Sequence, residues 1–205
     1  MSKVICGLSV SVDGFITGHD PGPGRGLGDA GFLFNWYFDG DTPSEVFDGF
    51  RLSPASARVF DALASRVGAM VCGRNTYDDS EGFGGGSPHP TAPLIVLSHR
   101  PVPGIETFDR QTLVTTGIEA AVAAAKQAAG GADVGLQGGG VVTAALQAGL
   151  VDELILHQIP VLLGRGRRYF QALPAHVRLH PIDVVPAPGV THLHYQVVRQ
   201  GATHA

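Results

Sequence analysis

Hydrophobic and polar positions along this chain follow two patterns, short apolar runs and stretches with helical spacing. The apolar runs predict strands at 3–10, 69–73, 92–98, 132–137 and 151–164. Apolar positions three or four residues apart predict helices at 53–67, 116–131 and 140–150. Strands that alternate with helices are typical of an α/β fold with a mostly parallel sheet.

Two of the predicted helices carry recognisable signals at their ends. Ser53 followed by Pro54 is typical of an N-cap and a first helical position. Thr116 and Glu119 have the spacing of a capping box, and Gly130 with Gly131 would end the same helix. These signals place helix boundaries where the apolar spacing alone leaves them open.

The end of the chain has a different pattern. Residues 177–200 contain two β-rich runs joined by "PAPG", which predicts an antiparallel hairpin at one edge of the sheet. We expect residues 1–205 to form a single domain, because this length suits one hydrophobic core. Ligands of open α/β sheets bind at the carboxyl ends of the strands, here the loops after Gly73, Ser98 and Gln137.

Composition limits the classes of partner. The formal net charge of -4 gives no electrostatic reason to expect a nucleic acid. No apolar run approaches the roughly 20 residues of a membrane-spanning helix, so we expect no membrane partner. The first residues show no signal-peptide cleavage pattern, and we therefore expect a cytoplasmic protein.

The cysteines and the late histidines suggest structural positions. Cys6 and Cys72 lie far apart in apolar runs, which predicts two buried thiols in a reducing compartment. His192 and His194 alternate on a late strand and therefore share one face. No third ligand is in register with them, so we predict no metal site and place both on the strand surface.

Three consecutive glycines, Gly138, Gly139 and Gly140, join a predicted strand to a predicted helix. A helix N-terminus has unpaired N–H groups and a partial positive charge, and glycine lets a diphosphate approach them closely. A tight turn with close helix–sheet packing would explain the same residues. The stretch does not match G-x-G-x-x-G, and neither Lys3 nor Lys126 follows a glycine loop as a P-loop requires.

Two other strand ends carry cations and hydroxyl groups. Arg74 follows one strand, where its guanidinium could hold a phosphate, and Thr76 could cap the next helix. Ser98, His99 and Arg100 follow the next strand. A dinucleotide with a 2′-phosphate needs loops of this kind, although an arginine of this type, taken alone, is more often a surface residue.

Four segments together resemble one family. "SVDGFITG" (11–18), "GRNTYD" (73–78), "IVLSHRP" (95–101) and the segment 136–170, "LQGGGVV…LLGRGRRYF", follow the order found in the dihydrofolate reductase superfamily. Within it, the chain resembles the branch of the riboflavin-biosynthesis reductase domain, the RibD C-terminal domain. The resemblance covers nearly the whole chain. It implies a three-layer dihydrofolate reductase-like fold with helices on both faces of the sheet, NADPH as cofactor, and a homodimer.

The resemblance also implies which residues hold NADPH. The adenosine phosphate side is assigned to Gly73, Arg74, Asn75 and Thr76, the 2′-phosphoribose to Ser98, His99 and Arg100, and the pyrophosphate to Gly138, Gly139, Gly140 and Val141. The nicotinamide is expected near the end of the first strand, so Ser11 and Gln137 complete the predicted cofactor site.

The predicted substrate site departs from the riboflavin branch. Phe15 stands where that branch typically has a lysine, and Gln137 stands where it has a glutamate. Trp36 could stack on a flat heterocycle or pack in the core. Arg165 and Arg168 could hold a phosphate or carboxylate of the substrate, or belong to a solvated basic loop.

A hydride transfer also needs a proton source beside the reduced atom. Asp13 ends the first strand and is the predicted catalytic residue, with an Asx turn as its structural alternative and with Asp39 or a water as other donors. The sequence thus predicts an NADPH-dependent reductase of a small flat heterocycle, pterin-like or 5-amino-6-(5-phosphoribosylamino)uracil-like. The alternative is an NADP(H)-binding protein without that activity, acting as a nucleotide-binding or regulatory module.

Overall fold

A computed structural model describes residues 2–198 of the protein. The strands are β1 (Val4–Ser11), β2 (Thr42–Pro43), β3 (Arg51–Leu52), β4 (Val67–Gly73), β5 (Leu94–Leu97), β6 (Gln111–Val114), β7 (Asp133–Gln137), β8 (Glu153–Ile159), β9 (Arg178–Ala187) and β10 (Val190–Val198). The α-helices are α1 (Pro54–Ala64), α2 (Arg74–Asp79), α3 (Ile118–Ala128) and α4 (Gly139–Gln147). Short 3₁₀ segments occupy Gly28–Tyr37, Glu81–Gly85 and Ile105–Thr107.

The main sheet has eight strands in the order β6-β5-β4-β7-β1-β8-β10-β9. The six strands from β6 to β8 pair in parallel, and β10 pairs antiparallel with both β8 and β9. This confirms the predicted α/β fold with a C-terminal antiparallel hairpin. The last two positions of the predicted tail, Arg199 and Gln200, lie outside the described residues.

Both faces of the sheet are covered, as predicted. On one face, Val4, Cys6 and Val10 of β1 pack against α3 and α4 in the largest hydrophobic cluster. On the other face, Leu33 and Trp36 of the 3₁₀ segment Gly28–Tyr37 pack with residues of α1 and β8. The two faces of β8 thus contribute to separate cores, Leu154 to the first cluster and Ile159 to the second.

One of the two predicted helix starts is confirmed. Ser53 caps α1 by accepting a hydrogen bond from the backbone N–H of Ser56 at 3.2 Å, and Pro54 is the first helical residue. The capping box of Thr116 and Glu119 is wrong. Gly117 occupies the N-cap of α3 with φ 109 and no side-chain hydrogen bond, because α3 begins one residue later than the box requires.

The predicted burial of the two cysteines is confirmed. Cys6 and Cys72 are both free and fully buried, and burial raises the pKa of each thiol well above its usual range. No helix within residues 2–198 is both long and apolar enough to span a bilayer.

Candidate active site

Two adjoining cavities lie against the parallel strands of the sheet. The larger one, called here the large cleft, has a volume of about 870 Å³ and lies over the loops that follow β4, β5 and β7. The smaller one, called here the aromatic pocket, has a volume of about 270 Å³ and lies between the sheet and the segments around α1. Leu8, Phe34 and Gln137 line both, so the two cavities share a wall.

The three glycines differ in what they do. Gly138 has φ +100, and a Cβ built there would lie 2.2 Å from the Oγ1 of Thr76. A Cβ on Gly139 would lie 2.7 Å from the carbonyl oxygens of both Arg168 and Tyr169. Packing therefore excludes a side chain at the first two positions.

Packing does not explain the glycine at position 140. The nearest atom to a Cβ built there is the Nε2 of Gln171 at 3.9 Å, and both residues line the large cleft. The N-cap position of α4 has no side chain, so its first N–H groups are not capped from within the helix. The first turn of α4 thus offers unpaired N–H groups and open space to an anion in the large cleft.

Most of the predicted cofactor residues line the large cleft together. They are Gly73, Arg74, Asn75, Thr76, Ser98, His99, Gln137, Gly138, Gly139, Gly140 and Val141. Thr76 does not cap a following helix, because it lies inside α2. Arg100 is exposed and is not part of the lining, while its backbone N–H and carbonyl both bond the hydroxyl of Ser98 at 3.1 and 2.7 Å.

The guanidinium of Arg74 is hydrogen-bonded to two residues of the protein. Its Nε lies 2.7 and 2.9 Å from the two carboxylate oxygens of Asp78, and its Nη1 donates to the carbonyl of Pro101 at 2.7 Å. The side chain thereby ties the loop after β4 to the loop after β5. Arg74 therefore fixes the shape of the cleft at least as much as it supplies charge to it.

The basic loop after β8 contributes two arginines to the large cleft. Arg168 lines it with the guanidinium carbon 4.6 Å from the ring centroid of Phe15, and within residues 2–198 it has no ion pair. Arg167, in the same loop, also lines it and pairs with Asp79. Arg165 is outside the lining, 66% exposed, and pairs with Asp29 at 3.4 Å.

Asp13 is held by hydrogen bonds within the fold, and its role as the proton donor stays a prediction. Its carboxylate accepts hydrogen bonds from the hydroxyl of Ser11 at 2.6 Å and from the N–H groups of Leu163 and Gly164 at 3.1 and 2.7 Å. These bonds lower the pKa of Asp13 to about 2, so it carries no proton at neutral pH. Ser11 is buried and also accepts from the N–H of Phe15, so its hydroxyl is not open to a cofactor.

We expect Asp13→Asn to lower the thermal unfolding midpoint while leaving the turnover of the folded protein close to that of the wild type. An amide accepts fewer hydrogen bonds than a carboxylate, so the link between the turn after β1 and Leu163 is weakened. Thermal denaturation and NADPH consumption measure the two quantities separately. A large loss of turnover with an unchanged midpoint would instead support Asp13 as a catalytic residue.

The aromatic pocket contains no charged side chain among the residues that line it. Its rings are Phe34, Tyr37, Phe47, Phe50, Phe60, His89 and His157. Trp36 is not among them, because it is 3% exposed and donates its indole N–H to the Oγ of Ser9 at 2.9 Å. Its position favours core packing behind the pocket over stacking on a ligand.

Sequence reasoning missed His157 and misplaced His192. His157 is 4% exposed and lies on the wall of the aromatic pocket, and His192 is 1% exposed, which corrects its placement on the strand surface. Burial lowers the pKa of His157 to about 3 and that of His192 to about 4, so both imidazoles are neutral at pH 7. The period-2 alternation of β8, which places His157 on the same face as Ile155, was the signal available in the sequence.

Solved structures with the same fold include several reductases. A putative riboflavin biosynthesis protein from Shewanella sp. PV-4 is 27% identical with a TM-score of 0.69, and the match covers 97% of this chain and 100% of that one. A pyrimidine reductase-like protein from Corynebacterium diphtheriae is 16% identical with a TM-score of 0.61, covering 97% and 93%. Dihydrofolate reductase from Enterococcus faecalis, in complex with NADP(H) and RAB-propyl, is 17% identical with a TM-score of 0.58, covering 97% and 96%.

No curated protein sequence matches this chain significantly. The family comparison, in contrast, matches residues 2–190, which is nearly all of the chain that the structure describes. With its sheet order, its terminal hairpin and the glycine loop at the head of α4, this chain belongs to the RibD C-terminal domain family.

Proposed function

We propose that this protein is an NADPH-dependent reductase that transfers hydride to a small flat heterocycle. The observation that carries the proposal is the shared wall of Leu8, Phe34 and Gln137 between the two cavities. A cofactor in the large cleft and a ring in the aromatic pocket would meet at that wall. Membership of the RibD C-terminal domain family and the NADP(H)-bound Enterococcus reductase of the same fold support this assignment.

The residues of the large cleft fit a dinucleotide. The N–H groups of the first turn of α4, with Gly140 left bare, suit a diphosphate, and Arg168 offers a guanidinium without an ion pair within residues 2–198. The loops of Arg74 and Ser98 would hold the adenosine side. Bound there, NADPH would supply the hydride, and the chain itself would position the two rings and exclude water.

The aromatic pocket favours an uncharged planar ring. It offers ring faces and no charged group to pair with a phosphate. Phe15 is buried beneath Arg168 and does not line the pocket, so its replacement of a lysine removes no charge from the wall of the aromatic pocket itself. We therefore propose a pterin-like or aminouracil-like ring as the reduced group.

The direct test is a titration with NADPH and, separately, with NADH, followed by NADPH consumption with pterins and aminouracils. Tight NADPH binding with turnover of any of these rings supports the proposal. NADPH binding without turnover of any ring favours the alternative, a nucleotide-binding or regulatory module. Absence of NADPH binding contradicts both functions.

We expect Arg100→Ala to weaken NADPH binding about tenfold or more while changing NADH binding little, because one charge-assisted contact contributes about 1.5–3 kcal/mol. Arg100 is exposed beside His99, has no ion pair within residues 2–198, and would reach the 2′-phosphate that NADH lacks. Fluorescence titration with each nucleotide measures both affinities. An equal loss for NADPH and NADH would refute this role.

Two further features stay predictions. A homodimer is implied by the family resemblance, and the edge strand β9 carries exposed Leu179, Ile182 and Val184 that a second copy could cover. A cytoplasmic location follows from the sequence pattern alone.

A further inference from the structure

A chain of four polar side chains, of which all but Ser53 are buried, leads from the N-cap of α1 to the wall of the aromatic pocket. The Oγ of Ser53 donates to the Oγ of Ser56 at 3.0 Å, and Ser56 lies 3.0 Å from the Nε2 of His192. The Nδ1 of His192 lies 2.8 Å from the Nδ1 of His157. Four side chains from α1, β10 and β8 thus form one hydrogen-bonded series.

Two orders of donors are compatible with this series, and one of them runs from Ser53 towards the pocket. In that order Ser53 donates to Ser56, and the hydroxyl hydrogen of Ser56 is available to the Nε2 of His192. Neutral His192 then carries its proton on Nδ1 and donates it to the Nδ1 of His157. Neutral His157 has its proton on Nε2, the far side of the ring, whereas the reverse order would make Nε2 an acceptor.

That far side faces the aromatic pocket. A Cβ built on the exposed Gly7 would lie 3.7 Å from the Nε2 of His157, and both residues line the pocket. No hydrogen-bond partner for this nitrogen is found within residues 2–198, and it is not among the fully buried unpaired atoms of these residues, so it is open to the pocket. A donor without a protein partner on the wall of a pocket favours a ligand that supplies an acceptor.

The other polar groups of the pocket are largely occupied. His89 accepts the N–H groups of Thr91 and Ala92 on Nδ1, and its Nε2 lies 3.2 Å from the carbonyl of Ala64. Ser9 interacts with the hydroxyl of Tyr37, which opposes the rise of the Tyr37 pKa caused by burial. Gln137 lies at the junction with the large cleft. His157 is therefore the donor placed within the aromatic wall itself.

We propose that the Nε2–H of His157 selects the heterocycle by donating a hydrogen bond to a ring carbonyl, and that His192 and Ser56 are positioning residues that keep this proton on Nε2. The inference rests on the proposed function for the identity of the ligand as the reduced ring. A ring without the carbonyl would bury the donor unpaired, which is the most effective way for a site to reject an analogue.

The test compares pterin with 2-aminopteridine, which has the same fused rings and lacks the 4-oxo group. Quenching of Trp36 reports binding, because it is the one tryptophan of the chain and its ring centroid lies 4.9 Å from that of His157. We expect the wild type to bind pterin about tenfold or more tightly than 2-aminopteridine. A wild-type ratio near one would overturn the proposal.

Three variants locate the source of the preference. His157→Phe keeps an aromatic ring without the donor and should bring the affinity ratio to about one, since this position then offers no donor to the 4-oxo group. His157→Gln, whose amide N–H₂ lies near the position of Nε2, should restore part of the ratio. His192→Phe should lower it while leaving His157 in place. A ratio that is unchanged in a folded His157→Phe variant overturns the proposal.

The titrations use protein without NADPH, so their outcome is independent of the cofactor. If the carbonyl preference is present and NADPH does not bind, the proposed reductase function fails and the role of His157 stands. If the protein consumes NADPH with pterin but binds pterin and 2-aminopteridine with equal affinity, the reductase function stands and the role of His157 fails. If His157→Phe does not fold, the role of His157 is decided by the affinity ratios of pterin to 2-aminopteridine in the wild type and in His192→Phe.

Discussion

Gly139→Ala is expected to lower the free energy of unfolding by about 3 kcal/mol, near the upper end for overpacking in a rigid region. The added Cβ would lie 2.7 Å from two backbone carbonyl oxygens, those of Arg168 and Tyr169. Neither can move alone, because Tyr169 is fully buried and its N–H donates to the carbonyl of Gly14 at 2.9 Å. Urea denaturation of the variant and the wild type measures the difference.

Gly140→Ala is the matched control for this prediction. Its Cβ meets nothing closer than 3.9 Å, so the stability should be unchanged or higher by up to about 1 kcal/mol, because alanine suits a helix better than glycine. The methyl group would stand in the large cleft beside the first N–H groups of α4. We therefore expect NADPH affinity to fall about tenfold, which corresponds to about 1.4 kcal/mol.

The pair of variants separates the two explanations of the glycine loop. We expect Gly139→Ala to lose stability and Gly140→Ala to lose affinity for NADPH without losing stability. That result would show that packing requires the glycine at position 139 and cofactor binding requires the glycine at position 140. If Gly140→Ala binds NADPH as the wild type does, the diphosphate does not lie at the start of α4. If Gly139→Ala is as stable as the wild type, the contact with the two carbonyl groups does not constrain the fold.

The parts of this fold that were predictable from sequence depend on local patterns. The strand β7, the glycines after it and the helix α4 are contiguous, so their order and the cleft loops followed from neighbouring residues. The 3₁₀ segment Gly28–Tyr37 was not predicted, because its apolar residues follow no helical or strand period. The four-residue strand β6, "QTLV", is too short to show an alternating pattern.

The parts of the site that were not predictable depend on distant pairings. Asp13 is held by N–H groups 150 and 151 positions away, so its role as a structural acceptor is not visible near the "VDG" turn. His157 and His192 meet because β10 pairs with β8 in the register that places these two residues opposite each other. A one-residue shift of that register would turn His192 to the other face of the sheet.

Glu153→Gln is expected to lower the free energy of unfolding at pH 7 by about 2–3 kcal/mol, because hydrogen bonds to a charged group contribute more than neutral ones. The Glu153 side chain is 4% exposed and pairs with Lys3, with Arg66 at 3.0 Å and with His194 at 3.0 Å. These partners lower the pKa of Glu153 to about 2, against the opposing effect of burial.

The same interactions set a pH dependence. The pKa of Glu153 is about 2 in the folded protein and 4.5 as its ordinary value, so the stabilisation is complete above pH 4.5 and is lost as the pH falls towards 2. The difference in stability between wild type and Glu153→Gln should therefore narrow across that interval. Asp20→Asn, which breaks an exposed ion pair with Arg25, is the control and should cost less than about 1 kcal/mol at any pH. Urea unfolding of the variants and the wild type, from pH 2 to neutral pH, measures these differences in stability. If Glu153→Gln and the wild type were equally stable at neutral pH, the cost of burying the carboxylate would cancel the stabilisation from its three partners.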